Sequence, residues 1–208
     1  TKLGPSTLTL AGTNTYTGGT TVSNGTLVLS GTLSNHVTVA VGTLAPSGTP
    51  SVSGNLSLHS GGHFSVRING PAAGTQFDQL TVGGNVTLAG ALDLQAGPNL
   101  PPGSEFTILN STGTNAVSGT FLGKANNGLF TADGYIWRLA YDGGSGNDVV
   151  LSLISVSTIT NVWVNATPDS TLTWTTGSNW QTGTPPLSSA DGTIEFLTGR
   201  TLTAGTLT

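Results

Sequence analysis

The chain contains no cysteine and no methionine, and only 7% of its 208 residues are charged. Without cysteine no disulfide can close a loop, so stability rests on packing and backbone hydrogen bonds, and the redox state of the compartment is left open. The five cationic residues, Lys2, Arg67, Lys124, Arg138 and Arg200, are scattered. They form no basic patch, so no nucleic-acid partner is expected. No apolar run approaches the ~18 residues of a membrane helix, and no membrane insertion of this segment is expected. Helix periodicity is missing too. No window sets apolar residues at i, i+3, i+4 and i+7, and glycine or proline interrupts almost every segment. Methionine is lacking even at position 1, so the chain reads as a processed or excised product with any signal peptide out of view.

In place of charge stand threonine, serine and asparagine, together with 31 glycines. These uncharged polar residues suit strands and turns. Hydrophobic residues make up 36% and the net charge is only −4, which argues against disorder. The apolar residues fall with period two, as a half-buried strand requires. Leu8/Leu10, Leu27/Leu29, Val37/Val39/Val41, Leu56/Leu58, Phe64/Val66/Ile68, Leu80/Val82, Val86/Leu88 and Leu92/Leu94 each set two or three on one face. Phe106/Ile108, Trp137/Leu139/Tyr141 and Val149/Leu151/Leu153 continue the series. Between them lie glycine turns such as Gly18-Gly19, Gly61-Gly62, Gly83-Gly84 and Gly143-Gly144.

One unit is written twice near the start: a Leu-x-Leu strand, a glycine turn, then threonine and asparagine. Leu8 and Leu27 hold the same place in it, 19 residues apart. A period near ~20 residues with one strand signal per unit points to an all-β fold built as a stacked β-solenoid. Residues 1–70 read as regular coils. Residues 71–154 read as a continuation with longer loops, the units from Leu56 to Leu94 being shorter and those beyond Leu100 carrying the long turns. Residues 155–208 read as a Trp-rich section, with Trp163, Trp174 and Trp180, that returns to solenoid style at Leu202-Thr-Ala-Gly-Thr-Leu-Thr208. Neither end of the chain reads as capped.

The stretch Leu8-Thr-Leu-Ala-Gly-Thr-Asn-Thr-Tyr-Thr-Gly-Gly-Thr-Thr-Val22, with Gly25-Thr-Leu-Val-Leu29, resembles the autotransporter-associated β-strand repeat of large secreted bacterial surface proteins. Phe77-Asp-Gln-Leu-Thr-Val-Gly83, Phe106-Thr-Ile-Leu-Asn110, Val117-Ser-Gly-Thr-Phe121 and residues 141–151 are similar to the module that often follows such repeats. Residues 174–196 look like the start of a further unit. The resemblance implies a right-handed parallel β-helix, export from a bacterial cell to its surface or surroundings, and a passenger, adhesin or fibre role without enzyme activity.

Candidate sites are few. Gly143-Gly-Ser-Gly-Asn-Asp-Val-Val-Leu151 fits the Ca²⁺-binding nonapeptide, with Asp142 and Asp148 as the nearby carboxylates. A single copy supplies half a site, so the segment reads first as a Gly-rich turn before a core strand, and no cofactor is expected beyond this Ca²⁺ option. His59 and His63 have zinc-pair spacing, but on a strand–turn–strand segment, where a surface role is expected. The nine carboxylates do not recur at the coil period, so no paired-carboxylate cleft and no catalytic activity are expected. Trp174 and Trp180 suit either sugar stacking or packing. Lys2 or Lys124 with an asparagine would make an isopeptide bond only beside a buried carboxylate. Asn24, Asn55, Asn85, Asn110 and Asn165 head glycosylation acceptor triplets, a match that arises freely in so Thr-rich a chain.

The expected function is therefore structural: a subunit or segment of a bacterial surface fibre whose partner is a further copy of itself, stacked head to tail. Leu8 and Leu10 at one end, and Leu202 and Leu207 at the other, are the expected assembly residues. The alternative is an adhesin module that binds glycans or a cell surface through Trp174 and Trp180.

Overall fold

Every described element is a β-strand. The computed structural model describes residues 1–156, with two further short strands at 161–163 and 194–196. Contacts divide the chain into two units, Thr1–Ser155 and Val156–Thr208. In the second, β17 (Asn161–Trp163) and β18 (Ile194–Phe196) pair in parallel.

The first unit runs through β1 (Thr7–Leu10), β2 (Thr13–Asn14), β3 (Thr20–Val22), β4 (Thr26–Leu29), β5 (Thr32–Leu33), β6 (Val37–Pro46), β7 (Ser51–Val52) and β8 (Leu56–Ile68). It continues with β9 (Leu80–Val82), β10 (Val86–Leu88), β11 (Ala91–Ala96), β12 (Glu105–Ser111), β13 (Ser118–Gly119), β14 (Gly128–Ala132), β15 (Tyr135–Gly143) and β16 (Asp148–Val156). The chain passes back and forth between two sheets. One holds β1, β3, β4, β6, β8, β10, β11 and β13; the other holds β2, β5, β7, β9, β12, β16, β15 and β14. Wherever two of the strands β1 to β13 pair with each other, the pairing is parallel.

In-register parallel pairing stacks like on like. Leu8, Leu27, Leu44, Phe64 and Leu92 form one column. Val22, Val39, Leu58 and Leu88 form a second. In the facing sheet Asn14, Leu33, Val52, Val82 and Ser111 form a third. The middle members of each column are fully buried, and each such side chain contributes about 1.5–3 kcal/mol of apolar transfer energy. Thr7, Thr26 and Thr43 stack on the outer face in the same register, which explains the threonine-rich composition. Glycine marks the corners because successive coils lie only about 4.8 Å apart. A Cβ at Gly31 would overlap the backbone of Gly12 one coil below.

Two expectations are corrected here. Val41 does not share a face with Val37 and Val39 but is 55% exposed. The register of β6 against β8 shifts between Val39 and Val41, so the buried positions change from odd to even numbers, continuing at Leu44. The units after Leu56 are longer than the early ones. Leu8, Leu27, Leu44, Phe64 and Leu92 are separated by 19, 17, 20 and 28 residues. The extra length is a loop after β8, tied down by Asp78. That buried carboxylate accepts hydrogen bonds from Gly48 N at 3.0 Å, Arg67 N at 3.2 Å and the Arg67 guanidinium at 3.3 Å.

After β12 the pairing reverses. β16 lies antiparallel to β12, and β14 antiparallel to β15.

Candidate functional site

The two ends of the parallel stack differ, and the first coil carries the candidate site. β1 is the terminal strand of its sheet and β2 of the other. Among the described residues β1 pairs with β4 alone, so its outer edge carries free backbone donors and acceptors. Leu8 belongs to a column whose next member, Leu27, is 0% exposed, yet Leu8 itself is 40% exposed. Leu10 is half-buried and Tyr16 is 43% exposed, its hydroxyl bonded to Thr20 Oγ1. These side chains, with Thr1, Lys2, Gly18, Gly19 and Thr20, line a groove of about 400 Å³.

Two polar residues stand in this coil where the next coils carry aliphatic ones. Lys2 bridges to Val22 and so heads the Val22–Val39–Leu58 column. Its ammonium donates to the carbonyls of Gly4 at 2.7 Å, Leu3 at 3.2 Å and Asn24 at 3.2 Å. Three donors meet three acceptors, which is how a cation tolerates a buried position. Asn14 heads the Leu33–Val52–Val82 column, and its Nδ2 donates to the carbonyls of Ala11, Gly12 and Thr32. Lys2 was a candidate in the sequence only for an isopeptide bond, and Asn14 was not one. The available signal was a polar residue at a repeat position that the next coils fill with an aliphatic one.

The opposite end of the stack is closed by aromatic residues. Phe121 and Trp137 are fully buried. Phe121 stacks on Phe64 at 6.0 Å between centroids, while Phe106 meets both Phe77 and Trp137 edge-on. Tyr135 and Tyr141 lie on the same face of β15 and use their hydroxyls as clamps. Tyr135 accepts from Leu100 N and donates to Gly97 O. Tyr141 accepts from Phe121 N at 2.9 Å and donates to Lys124 O at 2.8 Å. Burial pushes the Tyr141 phenol up to about 12, the hydrogen bond from Phe121 N acting the other way.

The remaining candidates are placed as follows. Asp148 is buried and accepts from Ser111 N at 2.7 Å, whereas Asp142 is exposed and accepts from Asn126 at 3.2 Å. The nonapeptide turn thus aims its two carboxylates at different partners. Among the described residues no three His, Asp or Glu side chains gather as a metal site. His59 is exposed, and His63 Nδ1 pairs with Asp93 at 2.8 Å. Asn55 and Asn85 belong to a side-chain ladder, Asn55 Oδ1 accepting from Asn85 N and Asn85 Oδ1 from Asn115 Nδ2. Lys124 lies over the Phe130 ring at 3.9 Å. Trp174, Trp180, Leu202 and Leu207 lie outside the described residues.

A passenger-associated-transport-repeat model matches residues 1–29, which are β1 to β4 and the resemblance seen in the sequence. No curated protein matches the chain.

Proposed function

We propose that this chain is a segment of a bacterial passenger protein, surface-bound or secreted, that serves as a structural rod and joins to further copies head to tail. The first unit is then a right-handed parallel β-helix, and the role is non-enzymatic and cofactor-free. The observation that carries this reading is the exposure of Leu8 above the fully buried Leu27 in a column otherwise stacked in register. A rung laid on β1 removes that apolar surface from water and satisfies the strand edge together. Residues 201–208 repeat the needed pattern. Leu202-Thr203 resembles Leu8-Thr9, and Ala204-Gly205-Thr206 resembles Ala11-Gly12-Thr13, with the residue in the place of Leu10 left out. Leu202 and Leu207 are therefore assigned to the joining strand. Such a contact is heterologous and does not close, so it yields filaments.

The test is electron microscopy of the concentrated chain beside a chain lacking residues 202–208. Filaments in the first and separate particles in the second support the reading. Separate particles in both, or filaments of unchanged repeat in both, refute it.

A further inference from the structure

We propose that Asn24 is a self-modifying site: the Asn24-Gly25 pair closes to a cyclic imide and reopens as aspartate or isoaspartate, with Lys2 promoting the closure. The chain has three Asn-Gly pairs, at Asn24, Asn69 and Asn127. In the reaction the glycine amide nitrogen loses its proton and attacks the asparagine Cγ. A bond from that nitrogen to Cγ forms, the bond from Cγ to Nδ2 breaks, and Nδ2 leaves as ammonia after taking up a proton. Water then opens the ring at either carbonyl, giving aspartate or isoaspartate. No oxidant or reductant takes part.

Three features at Asn24 favour the closure. Gly25 N donates to Asn24 Oδ1 at 2.7 Å, which folds the carboxamide back onto the peptide nitrogen that must attack it. Asn24 is exposed, which lets water enter and ammonia leave. The third feature is the cation. When Gly25 N ionises, its negative charge is shared with the Asn24 carbonyl oxygen through the peptide resonance. That oxygen accepts from the Lys2 ammonium at 3.2 Å, and the ammonium is held in place by the Gly4 and Leu3 carbonyls. A fixed positive charge on the developing anion favours the ionised, reactive form.

The other two pairs lack this arrangement. Gly128 N is committed to Ala125 O at 3.0 Å in a turn, and Asn127 N to Leu139 O. Gly70 is buried, and the Asn69 carboxamide lies against the Gly97 corner. The product at Asn24 also matters to the fold. Isoaspartate adds a methylene to the corner between β3 and β4, where Gly25 O accepts from Thr43 N at 2.9 Å and a Cβ at Gly42 would come within 2.6 Å of that oxygen. Either product places a new carboxylate near Lys2.

The test is site-resolved mass spectrometry of the dilute, unassembled chain aged at mildly alkaline pH, folded and in urea. Folded, Asn24 is expected to react at least as fast as in urea, while Asn127 slows. Lys2→Met is expected to slow Asn24 about tenfold in the folded chain, the factor that one pKa unit of amide acidity supplies, and to leave the urea rate unchanged. Lys2→Arg, which keeps the cation, retains most of the rate. Folded Asn24 reacting no faster than Asn127, or a Lys2→Met chain reacting at the parental rate in the fold, overturns the proposal. Should Lys2→Met not fold, the folded-to-urea ratio at Asn24 in the parental chain decides alone.

Discussion

At one end of the Thr1–Ser155 unit the column Leu8–Leu27–Leu44–Phe64–Leu92 finishes with Leu8 bare; at the other, Leu92 is only 9% exposed, and Phe121 stacks on Phe64 one rung before it. The parallel stack meets the two ends differently because parallel pairing has no internal stop. Each rung presents the same edge and the same apolar interior to the next. A stop needs a change of pairing and a change of side-chain size. Both occur after β12. β16 runs antiparallel, and large aromatic residues replace leucine and valine. The first coil has neither device. It has only Lys2 and Asn14 tying down corner carbonyls, and these leave the Leu8 and Leu10 face uncovered.

If that contrast is right, substitutions of similar chemistry at the two ends should differ widely. The largest effect is expected for Trp137→Ala, which empties the closed end. Urea unfolding should show a loss of about 3–5 kcal/mol, the usual cost of a buried aromatic truncation. The sharpest comparison lies within one column. Leu27→Ala should cost about 2–5 kcal/mol, and Leu8→Ala less than about 1 kcal/mol in the dilute chain, because Leu8 has little burial to lose. Equal losses at the two positions would mean that the first coil is as well packed as the second.

A smaller effect is expected from the tyrosine clamp. Tyr141→Phe keeps the ring but leaves Phe121 N–H and Lys124 C=O without their partner, at a cost of about 1–3 kcal/mol. The Tyr141 phenol, pushed up to about 12 by burial, adds a pH signature. An acid whose pKa is raised on folding favours the fold while both states are protonated. Its contribution is whole below the ordinary tyrosine value of ~10 and is lost as pH rises from there through about 12. The parental chain should therefore lose more stability than Tyr141→Phe across that window. Parallel losses would show that Tyr141 ionises no later in the fold than in the unfolded chain.

Much of the parallel section was legible in the residues. Strict alternation at Leu27/Leu29, Leu56/Leu58 and Phe64/Val66/Ile68 marks strands, and the 19-residue repeat from Leu8 to Leu27 is the register itself. Val41 was misread because alternation carries no mark of a bulge. The antiparallel closure was hidden for a related reason: Val149/Leu151/Leu153 alternates in the same way whether its neighbour runs parallel or antiparallel. A hint lay in Asp133-Gly134, a hairpin dipeptide whose two residues both adopt positive φ between β14 and β15. The site was legible in part. Leu8 and Leu10 mark the open face, but the roles of Lys2 and Asn14 depend on which carbonyls a folded corner brings within reach.

The central claim is that assembly proceeds through the open face and not the closed one. Two exposed leucines, one towards each end, test it: Leu8 in β1, and Leu122 beside the buried Phe121, 66% exposed. Filament formation of Leu8→Glu and Leu122→Glu, followed by electron microscopy at matched concentration, is the direct measurement. The account predicts that Leu8→Glu abolishes filaments by placing a carboxylate on the joining face, while Leu122→Glu assembles as the parental chain does. Filaments that persist in Leu8→Glu, or that vanish only in Leu122→Glu, would contradict it.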